Sequence, residues 1–359
     1  MSEIEAWIAA GLYDPDRPDG AERLALLEYV ASLGVDLDTM VAYNARGTLG
    51  RAATDHVLRP RPTLTRDEAA AAAGLEPEQV DRAWLAVGLP THPADELAYN
   101  DGDVELMRTF AAGSALFGFA GVLQFSRVLG TSLERIAEAA VASFLVNVEA
   151  PLVAGGGGAL DRSRTSTESI ELLLTVPDVF GPLFRRHVKA ALERIRSSQD
   201  PGSFDTFRMA VGFLDLVGYT EWSATLPVDE LSAAVSEFEA AASERITQAG
   251  ARVVKNIGDA VMFVALETTT ACRVALDLCA FVHAHPSLTE LRAAVATGEV
   301  LARDGDYFGA TVNRAARLVK AAQPGHVVSD APPEGFAAQA RPVQALRGIE
   351  GDVEVWQIS

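Results

Sequence analysis

Apolar side chains recur at helical spacing through roughly the first 160 residues, then shorten into runs of strand length beyond residue 205. Leu24, Leu26, Leu27, Val30, Leu33 and Val35 form one amphipathic helical run. Residues 64–89 read as two short helices. Thr65 with Glu68 three positions on is a capping box, Gly74 closes the first helix, and Pro77 opens a second that carries Val80, Trp84 and Leu85. That is helix-turn-helix spacing. The second helix offers Glu76, Glu78 and Asp81 against the single base Arg82, too little positive charge for phosphate contacts. The pair is therefore expected to serve as packing scaffold. Residues 109–126 are uncharged between Arg108 and Arg127, yet include three glycines, two serines, a threonine and a glutamine. A spanning helix wants about 20 predominantly apolar residues, so this stretch is expected to be a helix buried all round rather than a membrane span.

The glycine run 155–158 and the polar residues 161–167 read as a loop, and a helix near 182–195 leads into a linker by composition at 197–203. Past it, 209–216 has strand character and 227–250 is a long helix. Two strands, 252–255 and 260–264, flank a tight Gly258-Asp259 turn; a helix with Val274, Leu278 and Phe281 follows, then a strand at 291–297. This β-α-β-β-α-β order is the split βαβ, ferredoxin-like arrangement. The expected organisation is an all-helical domain over 1–196, a linker over 197–206 and an α/β domain over 207–359.

Composition narrows the function. The 359 residues carry 49 acids and 30 bases, a formal charge of −19, the wrong sign for a nucleic acid or an anionic membrane as main partner. Neither half hides a basic domain: the residues up to 204 carry 29 acids and 18 bases, and the rest 20 and 12. Cys272 and Cys279 lie two helical turns apart, about 10 Å, too far for a disulfide, which fits a reducing, cytoplasmic setting. The start, Met1 to Glu5, is acidic with no basic segment before an apolar core, so no signal peptide is expected. Only three bases are lysines: Lys189, Lys255 and Lys320.

Three motifs in the second domain carry chemistry. Phe213-Leu214-Asp215-Leu216-Val217-Gly218-Tyr219-Thr220 places an acid at the end of a buried strand, beside a glycine that lets the chain turn. An acid there is costly unless it meets a cation or many donors. Lys255-Asn256-Ile257-Gly258-Asp259 puts a second acid on a hairpin tip. Acids on adjacent strand ends suit one or two Mg²⁺ ions, which take one or two carboxylates plus phosphate oxygens. Residues 306–317 run from a loop into a helix on which Asn313 and Arg317, four apart, share a face.

The order and spacing of these motifs over residues 205–357 resemble the class III nucleotidyl cyclases. The resemblance implies that Asp215, Asp259 and the carbonyl of Leu216 hold two Mg²⁺ or Mn²⁺ ions per active site. It implies that Lys255 and Asp306 read the purine, that Asn313 and Arg317 steady the ribose and the transition state, and that Arg347 holds the triphosphate. The implied reaction converts ATP to 3′,5′-cyclic AMP and pyrophosphate. Adenine offers an N6 donor and an N1 acceptor, matching an aspartate and a lysine; guanine reverses the pattern, so Lys255 and Asp306 select ATP. Lys255 and Asp259 stand on opposite arms of one hairpin, awkward for serving one pocket, and the family builds each site from two chains; a homodimer is expected. The helical first domain resembles the regulatory domain of mycobacterial-type pH-responsive adenylyl cyclases, which implies control by pH and a fatty acid among apolar helices. His187, among Arg185, Arg186 and Lys189, is the candidate pH-sensing residue. The competing readings are a weakly catalytic nucleotide sensor acting through protein contacts, and a transcription regulator using residues 64–89.

Overall fold

The computed structural model describes residues 2–58, 62–198, 205–345 and 352–359. The chain divides into two compact units, Met1–Phe184 and Arg185–Ser359.

The first unit has helices as its regular elements among the described residues, with one isolated antiparallel bridge between Leu64 and Tyr99. It comprises α1 (Glu3–Ala9), α2 (Gly20–Ser32), α3 (Leu37–Ala45), α4 (Leu49–Leu58), α5 (Arg66–Ala73), α6 (Pro77–Ala86), α7 (Asp101–Phe117), α8 (Phe119–Phe144), a π-helical turn at Leu145–Glu149, α9 (Ala150–Ala154) and α10 (Ala159–Leu173). Then α11 (Val176–Ser198) runs on into the second unit. The caps legible in the sequence are present. Thr65 and Glu68 form a reciprocal capping box on α5, and Gly74 ends it in the left-handed region at φ 72°. In α6, Val80 and Trp84 are buried, Asp81 is paired to Arg66 at 3.0 Å, and Arg82 lies 4.5 Å over the Phe119 ring. Arg66, Asp81 and Arg82 thus make contacts within the first unit, while Asp67, Glu76 and Glu78 are exposed.

Two local expectations are corrected. Residues 109–126 are not one buried helix: Gly118, at φ 76° and ψ 152°, separates α7 from α8. Phe110, Val122 and Leu123 turn inward, while Leu116 and Phe117 are 75% and 72% exposed. The run Phe119–Ala154 is long and apolar enough to cross a membrane by length and composition. Residues 161–167, expected as loop, lie within α10. Their hydroxyls make a polar sequence packable, since Ser163 Oγ donates to the Gly50 carbonyl at 2.8 Å and Thr167 Oγ1 to the Ser163 carbonyl at 2.9 Å. The expected linker at 197–206 falls largely on residues 199–204, outside the described residues.

The second unit holds β1 (Thr206–Leu216), α12 (Tyr219–Ser223), α13 (Val228–Gln248), β2 (Arg252–Ile257), β3 (Ala260–Ala265), α14 (Thr268–Ala284), β4 (Leu291–Arg303), β5 (Asp306–Phe308), α15 (Ala310–Ala321), β6 (Val327–Ser329), β7 (Ala338–Ala345) and β8 (Asp352–Ile358). The sheet order is β2-β3-β1-β4-β6-β8-β7, with β5 paired to β4. The first four strands are antiparallel and in ferredoxin-like order. The sequence pattern did not extend to β6, β8 and β7, which continue the sheet beyond β4.

Alternation along the strands gives the sheet two different faces. Ala210, Leu214, Leu216, Phe263 and Val295 pack with Phe238 and Ile246 of α13 and Leu278 of α14. Met209, Val211, Phe213, Met262 and Ala296 pack on the other face with Ala315, Leu318 and Val319 of α15. That second face carries the polar residues of interest.

Candidate active site

Asp215 is the penultimate residue of β1, in register with Ala260 of β3 and Arg292 of β4. Strand parity places it on the α15 face, in step with Val211 and Phe213. Arg292 holds its carboxylate, with Nε 2.7 Å and Nη2 2.5 Å from Oδ2. Arg292 Nη1 also reaches the Lys320 carbonyl of α15 at 3.5 Å. Asp259 immediately precedes Ala260, so the fold sets both acids at one end of neighbouring strands. The Leu216 backbone N–H donates to the Asp259 carbonyl at 3.3 Å, tying the two motifs together. Gly258 at φ 62° makes the two-residue hairpin turn possible, and Gly218 at φ 67° turns the chain after β1. The Leu216 side chain itself is buried against α13 and α14.

Lys255 reaches this face because β2 is irregular. Val253 pairs with Phe263, but Lys255 pairs with Met262, leaving Val254 as an extra residue. Without this bulge Lys255 would oppose Val261 and point toward α13. Asn256, next along, does point that way, and its Nδ2 donates to Glu239 Oε1 of α13 at 2.8 Å. Lys255 instead forms an ion pair with Asp306, and its Nζ lies 6.0 Å from the Phe308 ring centroid. Asp306 was expected on a loop; it opens β5, paired to β4 through Arg303. Its Oδ1 accepts the Tyr307 backbone N–H at 2.8 Å. Arg252 braces the preceding turn by donating to the Gly305 carbonyl at 2.6 Å.

Asn313 and Arg317 lie one turn apart on α15. Asn313 is exposed and Arg317 half-buried, on the side of the helix away from Thr311, Ala315 and Leu318. Arg347 lies outside the described residues. Lys255 stands two residues along the sheet from the Asp215 row, about 7 Å. The fold thus brings Lys255 to Asp306 and Asp215 to Asp259, and carries Asn313 and Arg317 on the helix covering the same face.

Divalent ions fit this donor set. Two carboxylates beside backbone carbonyls are hard oxygen ligands of the kind Mg²⁺ takes together with substrate phosphates. Among the described residues there is no group of three or more His, Cys, Asp or Glu side chains able to hold a metal alone, so water and, with substrate, phosphate oxygens would complete the coordination. Sequence reasoning missed Arg292. Its signal was a lone base at the second position of the otherwise uncharged run 291–297, which pairs with β1.

A split sheet with a nucleotide-sized set of acids, bases and an Asn/Arg helix on one face defines a class, and the chain belongs to it: the class III nucleotidyl cyclase family. The description of the adenylate and guanylate cyclase catalytic domain matches residues 204–345. An adenylate cyclase of Streptomyces coelicolor is 32% identical over 277 residues, covering 76% of this chain and 71% of that protein. An uncharacterized protein of Mycobacterium tuberculosis is 31% identical over 371 residues, covering 99% of this chain and 94% of its own length. A pH-sensitive adenylate cyclase of the same species is 29% identical over 367 residues, covering 94% and 88%. Among solved structures, an adenylyl cyclase from Pseudomonas aeruginosa is 20% identical, covers 44% of this chain and 96% of its own, and has a TM-score of 0.39.

Proposed function

We propose that this adenylate cyclase family member converts ATP to 3′,5′-cyclic AMP and pyrophosphate in a cytoplasmic homodimer, under control of its helical first unit. The observation that carries the substrate assignment is the Lys255–Asp306 ion pair. The two residues are 51 positions apart and meet through a bulge and a three-residue strand, which a merely structural surface pair would not require. Lysine keeps further N–H donors and aspartate further lone pairs beyond their mutual bond. Lys255 donates to adenine N1 and Asp306 accepts from N6; guanine would leave both unmatched.

The 3′-oxygen attacks the α-phosphorus of the same nucleotide, so nucleophile and electrophile are already linked. The protein's task is to fold the substrate and stabilise charge, and positioning of this kind is worth about 7–11 kcal/mol of barrier. Asn313 holds the ribose in the attacking geometry. Arg317 meets the negative charge that grows on the α-phosphoryl oxygens, where a planar, permanently charged donor is most effective. Arg347 and Arg292 provide positive charge for the triphosphate. Asp215, Asp259 and the Leu216 carbonyl would hold two Mg²⁺ or Mn²⁺ ions, which supply Lewis-acid activation of the 3′-hydroxyl and neutralise the leaving group when bound.

Dimerisation completes each site: Asp215 and Asp259 of one chain face Lys255, Asp306, Asn313 and Arg317 of its partner. Regulation rests on the first unit. A cavity of about 760 Å³, lined by Trp84, Met107, Phe110, Val122, Phe125 and Leu129, has the size and apolar character of a small-molecule site and would take a fatty acid. His187, exposed on the part of α11 that belongs to the second unit, contributes to the pH response.

The test is formation of cyclic AMP from ATP by the full chain with Mg²⁺ or Mn²⁺ across pH 5.5–8, with GTP as competitor. Cyclic AMP as the sole cyclic product, and partial recovery of activity on mixing inactive Asp215→Ala and Arg317→Ala chains, support the reading. No product from ATP refutes the function, and mixed dimers without activity refute the shared site.

A further inference from the structure

Arg314 lies between Asn313 and Arg317 in sequence but makes different contacts. Its Nε donates to Asp330 Oδ2 at 2.7 Å and its Nη2 to the Thr297 carbonyl of β4 at 3.2 Å. Asp330 follows β6 and accepts the Thr297 backbone N–H on Oδ1 and Oδ2 at 3.1 and 3.3 Å. Its own N–H donates to the Val295 carbonyl at 3.2 Å. One turn earlier on α15, Thr311 Oγ1 donates to the Glu299 carbonyl at 2.7 Å. Gly298 makes room for this approach, because a Cβ there would sit 2.7 Å from Thr311 Oγ1 and 3.4 Å from Arg314 Nη2. Two side chains of α15 are therefore fastened to Thr297 and Glu299 of β4, on either side of Gly298, with Asp330 as the brace.

We propose that Arg314 and Asp330 are positioning residues that set the rotation of α15 about its axis and so aim Arg317 and Asn313 at the substrate; this rests on the function proposed above. At about 100° per residue, Arg314 lies about 60° around the helix from Arg317 and a like angle from the buried Thr311 and Leu318 positions. It occupies the seam between the packed side and the substrate side. Apolar contacts of Ala315, Leu318 and Val319 press the helix onto the sheet but are non-directional, so they tolerate rolling. The Arg314 fork does not, since its two donors meet acceptors in two separate segments, the Thr297 carbonyl of β4 and the Asp330 carboxylate just after β6. A roll of about 10–15° moves a guanidinium about 6–7 Å from the axis by more than 1 Å, and a displacement of that size costs about 100-fold in rate. Burial pushes the Asp330 carboxyl above the ordinary aspartate value despite the opposing influence of Arg314. A carboxylate kept in so unfavourable a place for packing alone would be better replaced by an apolar residue.

The experiment compares kcat and KM for ATP in full-length wild type, Arg314→Ala, Arg314→Lys, Arg317→Ala and the Arg314→Ala/Arg317→Ala double variant. Arg314→Ala is expected to lower kcat about 10- to 100-fold with KM within about threefold, because the interaction lost is one made in the transition state. Arg314→Lys, which reaches Asp330 with one donor, should recover about a tenth or more of the activity. In the Arg317→Ala background the Arg314→Ala change should cost clearly less than it does alone, since the part that acts through Arg317 is already lost and only the part through Asn313 remains. Losses that multiply in the double variant, or an Arg314→Ala enzyme within about threefold of wild type, overturn the proposal. Should Arg314→Ala fail to fold, Arg314→Lys and Asp330→Asn decide by the same split between kcat and KM. A wild type that forms no cyclic AMP refutes the proposed function and the clamp with it, whereas an active wild type indifferent to Arg314 refutes the clamp alone.

Discussion

Replacing Arg292 with methionine removes the guanidinium that holds Asp215 while keeping an unbranched apolar side chain against the sheet. Asp215 and Arg292 side chains are 15% and 26% exposed, so the pair is largely, not wholly, removed from water. Deleting one partner of a fully buried pair costs about 3–5 kcal/mol; the remaining access of solvent reduces this, and about 1–3 kcal/mol is expected. For a unit of this size that corresponds to a fall in melting temperature of about 2–4 °C per kcal/mol in the presence of EDTA. A divalent cation at Asp215 then replaces the lost positive charge. In the wild type it must compete with Arg292, whereas in the variant it meets a carboxylate already destabilised by the same 1–3 kcal/mol. Since about 1.4 kcal/mol is tenfold in affinity, Mn²⁺ should bind the variant about 5- to 100-fold more tightly. The assay is thermal unfolding of the full chain in EDTA and through a Mn²⁺ titration, with calorimetric binding as a second readout. Two results would refute the reasoning: an unchanged melting temperature in EDTA, or identical Mn²⁺ dependence in the two chains.

Lys255→Met should lower kcat/KM for ATP by about 100-fold or more while narrowing the preference for ATP over GTP, because the donor to adenine N1 is lost; initial rates with each nucleotide check it. Gly212→Ala should destabilise the catalytic unit by about 1–3 kcal/mol, since its Cβ would lie 2.1 Å from Phe263 Cε1 in a fully buried ring; urea unfolding measures this. Burial pushes both the Cys272 and Cys279 thiols up to about 12, so the folded chain should resist iodoacetamide at pH 8 while the urea-unfolded chain takes up two equivalents by mass spectrometry. The sign of the linked stability follows. Protonated thiols favour the fold fully below their ordinary value of 9.0, and that contribution is lost as pH rises toward about 12.

The sequence by itself determined the elements whose causes are local. The Thr65–Glu68 box and Gly74 cap depend on residues within one turn, and both formed as read. The βαββαβ order followed from apolar period and from Gly218 and Gly258, which alone permit the turns they occupy. The residues of the three motifs were legible for the same reason, as fixed spacings along the chain. What only the tertiary structure decided involves registers and partners far apart in sequence. Val254, as an extra residue in β2, turns Lys255 to the face where Asp306 waits, and a period-two pattern carries no mark of a one-residue slip. Arg292 meets Asp215 across 77 positions because β1 and β4 pair. The polar run 161–167 is helical because Gly50 offers a carbonyl to Ser163, and residues 109–126 break at Gly118 because packing of α7 and α8 against one another outweighs continuity. Period reports how an element meets its nearest neighbours along the chain; which side chain meets which across the sheet is set by register, and register exists only once the strands have paired.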